Sequence, residues 1–180
     1  MGKHYDAIPA KLQDFIRRQN IFFVATAGSE GRVNLSPKGM DSLRVIDEHT
    51  VRWLNVTGSG NETAAHVLEN PRMTLMFCAF AGPPMILRLY GQARMVQPGD
   101  DAWSQQIQHF PPLPGARQIF TLHIDLVQSS CGMAVPYFDY RSERDDLNHW
   151  AEKKGEQGIE QYWTEKNATS LDGKPTGITK

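Results

Sequence analysis

The chain reads as a mainly β protein with flanking helices, built as an antiparallel barrel or sandwich of six or seven strands. Three observations predict that class. Short runs rich in β-branched and aromatic residues recur from Ile21 to Gln128. Most are joined by turns too short for a crossover helix, whereas a doubly wound sheet needs a helix after nearly every strand. Helical periodicity is confined to the two ends, one stretch between strands and a short run near residues 99 to 109. Closure into a barrel would also remove the sheet edges.

Leu12, Phe15 and Ile16 share one face of an opening helix at residues 10 to 19, with Asn20 as its stop. The period then changes to two. Ile21 to Ala27 and Arg32 to Ser36 flank Gly28-Ser29-Glu30-Gly31 and predict a hairpin. Leu43 to Ile46 and Thr50 to Val56 predict a second, around Asp47-Glu48-His49. A helix over 60 to 69 ends at Asn70-Pro71, because the residue before proline is pushed out of the α region. Met73 to Phe80 is apolar on both faces from Leu75 onward, as a central strand should be.

After Gly82-Pro83-Pro84, a long strand at 85 to 97 places Leu87, Leu89, Gly91, Ala93 and Met95 on one face. Its small residues predict a bend or a close approach by another group. Residues 99 to 109 read as helix, and Gln118 to Gln128 alternates again with Phe120, Leu122, Ile124 and Leu126 inward. Two amphipathic helices follow, one signalled by Ser142 with Asp145 and one after Gly155, forming a C-terminal extension at about 140 to 167. Leu171 to Lys180 reads as a loosely held tail.

The 180 residues fit a single domain, with the strand-rich core at about 10 to 130 and enough chain to bury roughly 70% of the unfolded surface. Basic and acidic residues number 19 and 20, with no long run of one sign, so no nucleic-acid or anionic-membrane surface is advertised. No signal-peptide pattern or membrane-length apolar run occurs, and the two cysteines, Cys78 and Cys131, argue against a disulfide framework. The expectation is a cytoplasmic protein with reduced thiols.

The segment with most chemical content runs from strand Val51 to Val56, through Thr57-Gly58-Ser59-Gly60-Asn61-Glu62-Thr63, into a helix. Ser59 and Glu62 have capping-box spacing, and free N–H groups at a helix start favour a phosphate. A plain strand-to-helix turn accounts for the same residues. Ser36-Pro37-Lys38-Gly39 adds a hydroxyl, a cation and a flexible glycine after its strand, and an ordinary surface turn fits it equally. His123 and Asp125 share a strand face but lack a third ligand. With the isolated His49, His66 and His149 they read as solvent-facing, and no metal site is expected. Cys131 has no histidine placed beside it by sequence, so no hydrolytic nucleophile and no catalytic residue is assigned.

The order Gly31-Arg32-Val33-Asn34-Leu35-Ser36-Pro37-Lys38-Gly39, then Thr57 to Thr63, then Glu69-Asn70-Pro71-Arg72-Met73-Thr74-Leu75, then Arg88-Leu89-Tyr90-Gly91, resembles the pyridoxamine 5′-phosphate oxidase-like FMN-binding split-barrel family over roughly residues 10 to 130. The resemblance implies a Greek-key split β-barrel of about six strands, with FMN held across a homodimer interface. It makes Ser36, Pro37, Lys38, Asn55, Thr57, Ser59, Gly60, Asn61 and Thr63 the candidate cofactor contacts. Arg88 and Tyr90 become candidate contacts for a small-molecule substrate.

Where the true oxidases carry arginine and lysine at the strand and at the helix start, this chain has Ser36 and Gly60-Asn61, which implies a differently built phosphate site. After Cys131 it has Pro136-Tyr137-Phe138 and helices in place of the segment that grips pyridoxal, so the expected substrate is not vitamin B6. The function implied is a flavin-dependent oxidoreductase whose cofactor carries the redox step. The alternative is a non-catalytic carrier or sensor of a flavin, deazaflavin or haem.

Overall fold

Residues 2–178 are described by the computed structural model. The elements are β1 (Lys3–Tyr5), α1 (Ala10–Arg17), β2 (Phe22–Thr26), β3 (Asn34–Lys38), β4 (Leu43–Asp47), β5 (Thr50–Val56), α2 (Glu62–Glu69), β6 (Arg72–Cys78), β7 (Ile86–Val96), α3 (Trp103–Ile107), β8 (Ala116–Ser130) and α4 (Asp146–Tyr162). A π-helical turn, Trp163–Asn167, continues α4.

All strand pairs are antiparallel, in the order β3-β2-β6-β7-β8-β5-β4, with β1 beside Val127–Ser129 of β8. The chain meanders through β6, β7 and β8, and β5 returns to lie beside β8, which is Greek-key connectivity. The sheet curls into a half-barrel whose path ends at β3 and β4, the split-barrel class expected. Its interior is filled by Val24, Trp53, Leu75, Phe77, Leu87, Leu89, Phe120 and Leu122, none of them more than 1% exposed. Trp53 stacks on Phe120 at 4.7 Å and meets Phe22 edge-on at 6.2 Å, so aromatic packing organises the end of the barrel nearest β3.

Among the described residues there are eight strands where six or seven were expected. The addition is β1, three residues too short to carry a periodicity, which exists because β8 offers it an edge. Other expectations are corrected. β3 runs on through Lys38, so Ser36 to Lys38 lie within the strand and not after it. The helix expected at 99 to 109 is only the five residues of α3. Leu126 is half-exposed while Val127 is fully buried, because Asp125 is an extra residue opposite Tyr90 and Gly91 and this bulge reverses the alternation beyond it.

Ser142 does not cap α4, which begins at Asp146; the Asp145 carboxylate takes Asn148 Nδ2 at 2.8 Å and His149 at 3.1 Å. The break at Gly155 (φ 66°, ψ 171°) does divide α4 into two helical halves, at a conformation that suits only glycine. His66 is buried, with Nδ1 3.1 Å from Thr26 Oγ1, because α2 packs against both β2 and β7 and leaves little of its surface to solvent.

The final segment is tied down. Leu171 N–H donates to the Glu62 carboxylate, Asp172 pairs with Arg32, Lys174 pairs with Glu69, and Thr176 is fully buried. Of the tail expected at Leu171 to Lys180, the last two residues lie outside the described residues.

Candidate functional site

Strand alternation turns Asn34, Ser36 and Lys38 of β3 toward the barrel and leaves Leu35 and Pro37 facing out. Pro37 is tolerated because β3 is an edge strand, with one side of its backbone unpaired. Lys38 Nζ stands 5.5 Å from the centroid of the Trp53 ring. Among the described residues no carboxylate lies within salt-bridge distance of it. Burial, and then the charge of Arg117, pull the Lys38 ammonium down to about 8.

Beyond β5 the chain makes the turn that leads into α2. Asn55, Thr57, Asn61 and Thr63 are buried, whereas Ser59 and Gly60 face solvent. Ser59 is not the cap. Asn61 holds the N-cap position without a side-chain cap bond, and Glu62 reaches away to the Leu171 N–H at 3.0 Å. The capping-box spacing was satisfied in sequence, but a tertiary donor took the carboxylate.

Thr57 fixes the start of the turn, donating from N and Oγ1 to the Gly115 carbonyl at 2.8 Å each. Trp163 Nε1 donates to the same Thr57 Oγ1 at 2.7 Å. Asn55 Nδ2 donates to Gln118 Oε1 at 3.1 Å, and Asn34 Nδ2 donates to Thr63 Oγ1 at 3.1 Å.

Two further residues complete the site. Arg117 is the unpaired residue of a bulge, since Asn55 pairs with Gln118 and Val56 with Ala116. A bulge re-aims a side chain, and here it sends the guanidinium under the turn. Nη1 donates to Gly60 O at 3.1 Å and to Asn167 Oδ1 at 2.6 Å. Arg117 is 2% exposed, and no carboxylate pairs with it among the described residues. Burial brings its guanidinium down to about 10.

Asn167, fully buried at the end of the π-helical turn, also donates from Nδ2 to Gly58 O at 3.1 Å and accepts from Asn61 Nδ2 at 3.3 Å. Arg117 Nε, Gln118 Nε2 and Trp53 Nε1 are buried donors without an acceptor, and Asn61 Oδ1 is an acceptor without a donor. The region is therefore rich in positive charge and unspent N–H groups. The one sequence signal for Arg117 and Gln118 is a polar pair at the head of β8, just before the apolar Ile119 and Phe120. Nothing local marks Asn167.

Lys38 also lines an open cleft of about 1510 Å³, whose apolar wall comes from Phe15, Ile21, Phe80, Met85 and Phe138. Arg88 and Tyr90 stand elsewhere, on the face of β7 opposite the buried Leu87 and Leu89. Arg88 donates to Ser130 Oγ at 3.2 Å and Tyr90 to Gln128 Oε1 at 3.2 Å. The structure thus gathers Asn55, Thr57, Gly60, Asn61 and Thr63 around β5 and the turn, places Lys38 on β3 within reach of the charge of Arg117, and leaves Arg88 and Tyr90 outside that group.

An antiparallel split half-barrel with buried cations near the turn after β5 defines the class of this fold, and comparison with known proteins gives its family. Residues 8–131 match the family Pyridoxamine 5′-phosphate oxidase. The Aspergillus flavus pyridoxamine 5′-phosphate oxidase family protein ustO is 34% identical over 189 residues, covering 95% of this chain and 76% of that protein. The chain belongs to the pyridoxamine 5′-phosphate oxidase family.

Among solved structures, Group A Streptococcus HupZ superposes with a TM-score of 0.53 at 20% identity, covering 66% of this chain and 91% of that one. A Lactobacillus delbrueckii protein named for pyridoxamine 5′-phosphate oxidase gives 0.54 at 19% identity, over 68% and 94% of the two chains. These likenesses concern the fold. Among the described residues no helix is long and apolar enough to cross a membrane.

Proposed function

We propose that the chain is an FMN-binding oxidoreductase acting, as a homodimer in the cytoplasm, on a small organic substrate other than vitamin B6. The observation that carries this reading is the pair of buried cations, Arg117 bonded to Gly60 of the turn and Lys38 close enough to feel the charge of Arg117, with no carboxylate in salt-bridge distance of either among the described residues. A buried cation without a counter-ion is costly, and a phosphate dianion at the turn offsets that cost. The donor set fits the group: Lys38 supplies a point charge, the turn supplies N–H groups, and the start of α2 adds the positive end of its dipole. Ser36 on the inward face of β3 and Thr63 on α2 are the remaining polar contacts offered.

FMN, when bound, supplies the hydride or electron chemistry that the side chains lack. The chain's own task is to hold the phosphate, orient the ring system and exclude water. Lys38 lies on the wall of the apolar cleft and feels the charge of Arg117, so a substrate in that cleft adjoins β3. Arg88 and Tyr90, being outside this group, serve the site only as residues offered by a second subunit.

The test is titration of purified apo protein with FMN and with riboflavin, followed by flavin fluorescence, together with the absorbance spectrum as isolated. FMN is expected to bind at least tenfold more tightly. Equal affinities would remove the phosphate argument, and tight FMN binding with no turnover by a nicotinamide donor would make the protein a carrier.

A further inference from the structure

Asn167 lies more than a hundred residues from the turn in sequence, yet it bonds to two of its residues. Its Oδ1 accepts from Arg117, its Nδ2 donates to Gly58 O, and its own carbonyl accepts from Asn61 Nδ2 and, at 2.6 Å, from Thr176 Oγ1. Arg117 in turn donates to Gly60 O. Two alternate carbonyls of one turn, Gly58 and Gly60, are thereby both drawn toward buried donors.

That arrangement has a geometric consequence. In a trans peptide the C=O and the following N–H point in opposite directions, and no cis bond occurs among the described residues. With the Gly58 and Gly60 carbonyls turned inward, the N–H groups of Ser59 and Asn61 are turned outward, on the side where Ser59 and Gly60 meet solvent. Among the described residues neither N–H finds an acceptor. Two outward N–H groups on alternate residues at the head of a helix offer donors to an anion. A second observation bears on the same turn from its buried side: Arg117 is 2% exposed, donates to the Gly60 carbonyl, keeps Nε without an acceptor, and among the described residues has no carboxylate partner, so the turn carries positive charge that an anion offsets.

We propose that Asn167 is the positioning residue of a phosphate-monoester site, holding Arg117 and the Gly58 carbonyl at once so that the Ser59 and Asn61 N–H groups face the phosphate. Asn167 does not touch the anion. It sets the turn, and Arg117 beneath adds charge without a protein counter-ion. The C-terminal segment is therefore part of the site and not an appendage to the barrel. The phosphate of FMN as ligand rests on the functional reading above; the pair of outward N–H groups itself does not.

Two variants and two probes test it. Asn167→Ala removes all side-chain contacts, while Asn167→Asp keeps an acceptor for Arg117, supports the fold by an ion pair, and loses the donor to Gly58 O. The first probe is inorganic phosphate, followed through the backbone amide resonances of Ser59 and Asn61. Both are expected to move in the wild type, and their titration to weaken at least tenfold in Asn167→Asp.

The second probe is the ratio of riboflavin to FMN dissociation constants, expected to fall from tenfold or more to below threefold in either variant. Lower thermal stability with an unchanged ratio would show a purely structural asparagine and overturn the proposal. So would wild-type amides that ignore phosphate, unchanged titration in Asn167→Asp, or failure of both variants to fold. Wild-type amides that respond to phosphate in a protein that does not prefer FMN would instead reject the flavin reading and leave the anion site standing.

Discussion

At the residue scale, the state of Lys38 decides how the site behaves with pH. Its ammonium is held at about 8, below the ordinary 10.5, mainly by burial. The folded apo protein therefore binds this proton less tightly than the unfolded chain does. The sign follows: the charged form is penalised below about 8, and stability rises as pH climbs from about 8 toward 10.5, where only the unfolded chain still holds the proton. Phosphate binding has the opposite dependence, since only the protonated amine attracts a dianion. FMN affinity is expected to fall between pH 7 and 9.5 in the wild type. The Lys38→Ala variant should bind about 1.5–3 kcal/mol more weakly at pH 7 and show a flatter profile. Fluorescence titration across that range checks both, and an unchanged constant would make Lys38 a bystander over Trp53. Glu62 supplies the complementary test. Its Oε1 would stand 3.4 Å from a Cβ on Gly60, so a negative charge sits beside the anion turn. Glu62→Gln should tighten FMN binding several-fold while costing about 0.3–1 kcal/mol of helix stability in urea unfolding. Weaker binding would mean that the hold of Glu62 on Leu171 matters more than its charge.

At the scale of elements, the close approach of β7 to β8 rests on one glycine. A Cβ at Gly91 would lie 1.9 Å from the His123 carbonyl oxygen, at the register shift where Tyr90 pairs with Leu126 and Gly91 with Ile124. Gly91→Ala must separate β7 from β8 along their shared ladder, so a loss of about 3 kcal/mol or more is expected in chemical denaturation. A loss below about 1 kcal/mol would show that the bulge slides freely. The sequence announced this position through its run of small residues, and it announced β5, β6 and β7 through alternation or continuous apolar character, because those signals are local. It could not announce β1, whose three residues gain their pairing from β8 alone. The site divides in the same way. Lys38, Thr57 and Asn61 were legible because strand, turn and helix follow one another in the chain. Arg117 and Asn167 were not, because one is aimed by a bulge and the other reaches Gly58 across 109 residues. The capping signal at Ser59 misled for a related reason: Leu171, equally distant, supplies the donor that Glu62 takes.

At the scale of the whole molecule, the sheet leaves β3 and β4 at the ends of its path, and an open edge invites pairing with another chain. The two edges are not alike. Val33, just before β3, is 76% exposed and Leu35 within it is 63% exposed, on the strand that also carries Ser36 and Lys38 toward the proposed phosphate. An exposed apolar edge next to a ligand site is what an isologous dimer with two equivalent sites would cover. Light scattering is therefore expected to give twice the chain mass, with one FMN bound per chain. Leu35→Lys places a charge on that face without touching the inward side of β3, so it should leave the fold intact by circular dichroism, weaken the dimer at least tenfold, and lower FMN affinity in parallel. If the variant becomes a monomer that binds FMN as the wild type does, each barrel holds its cofactor alone and the shared-site reading fails. If it stays a dimer with unchanged affinity, the contact lies elsewhere on the surface, and the outward residues of β7, Arg88 and Tyr90, become the next to substitute.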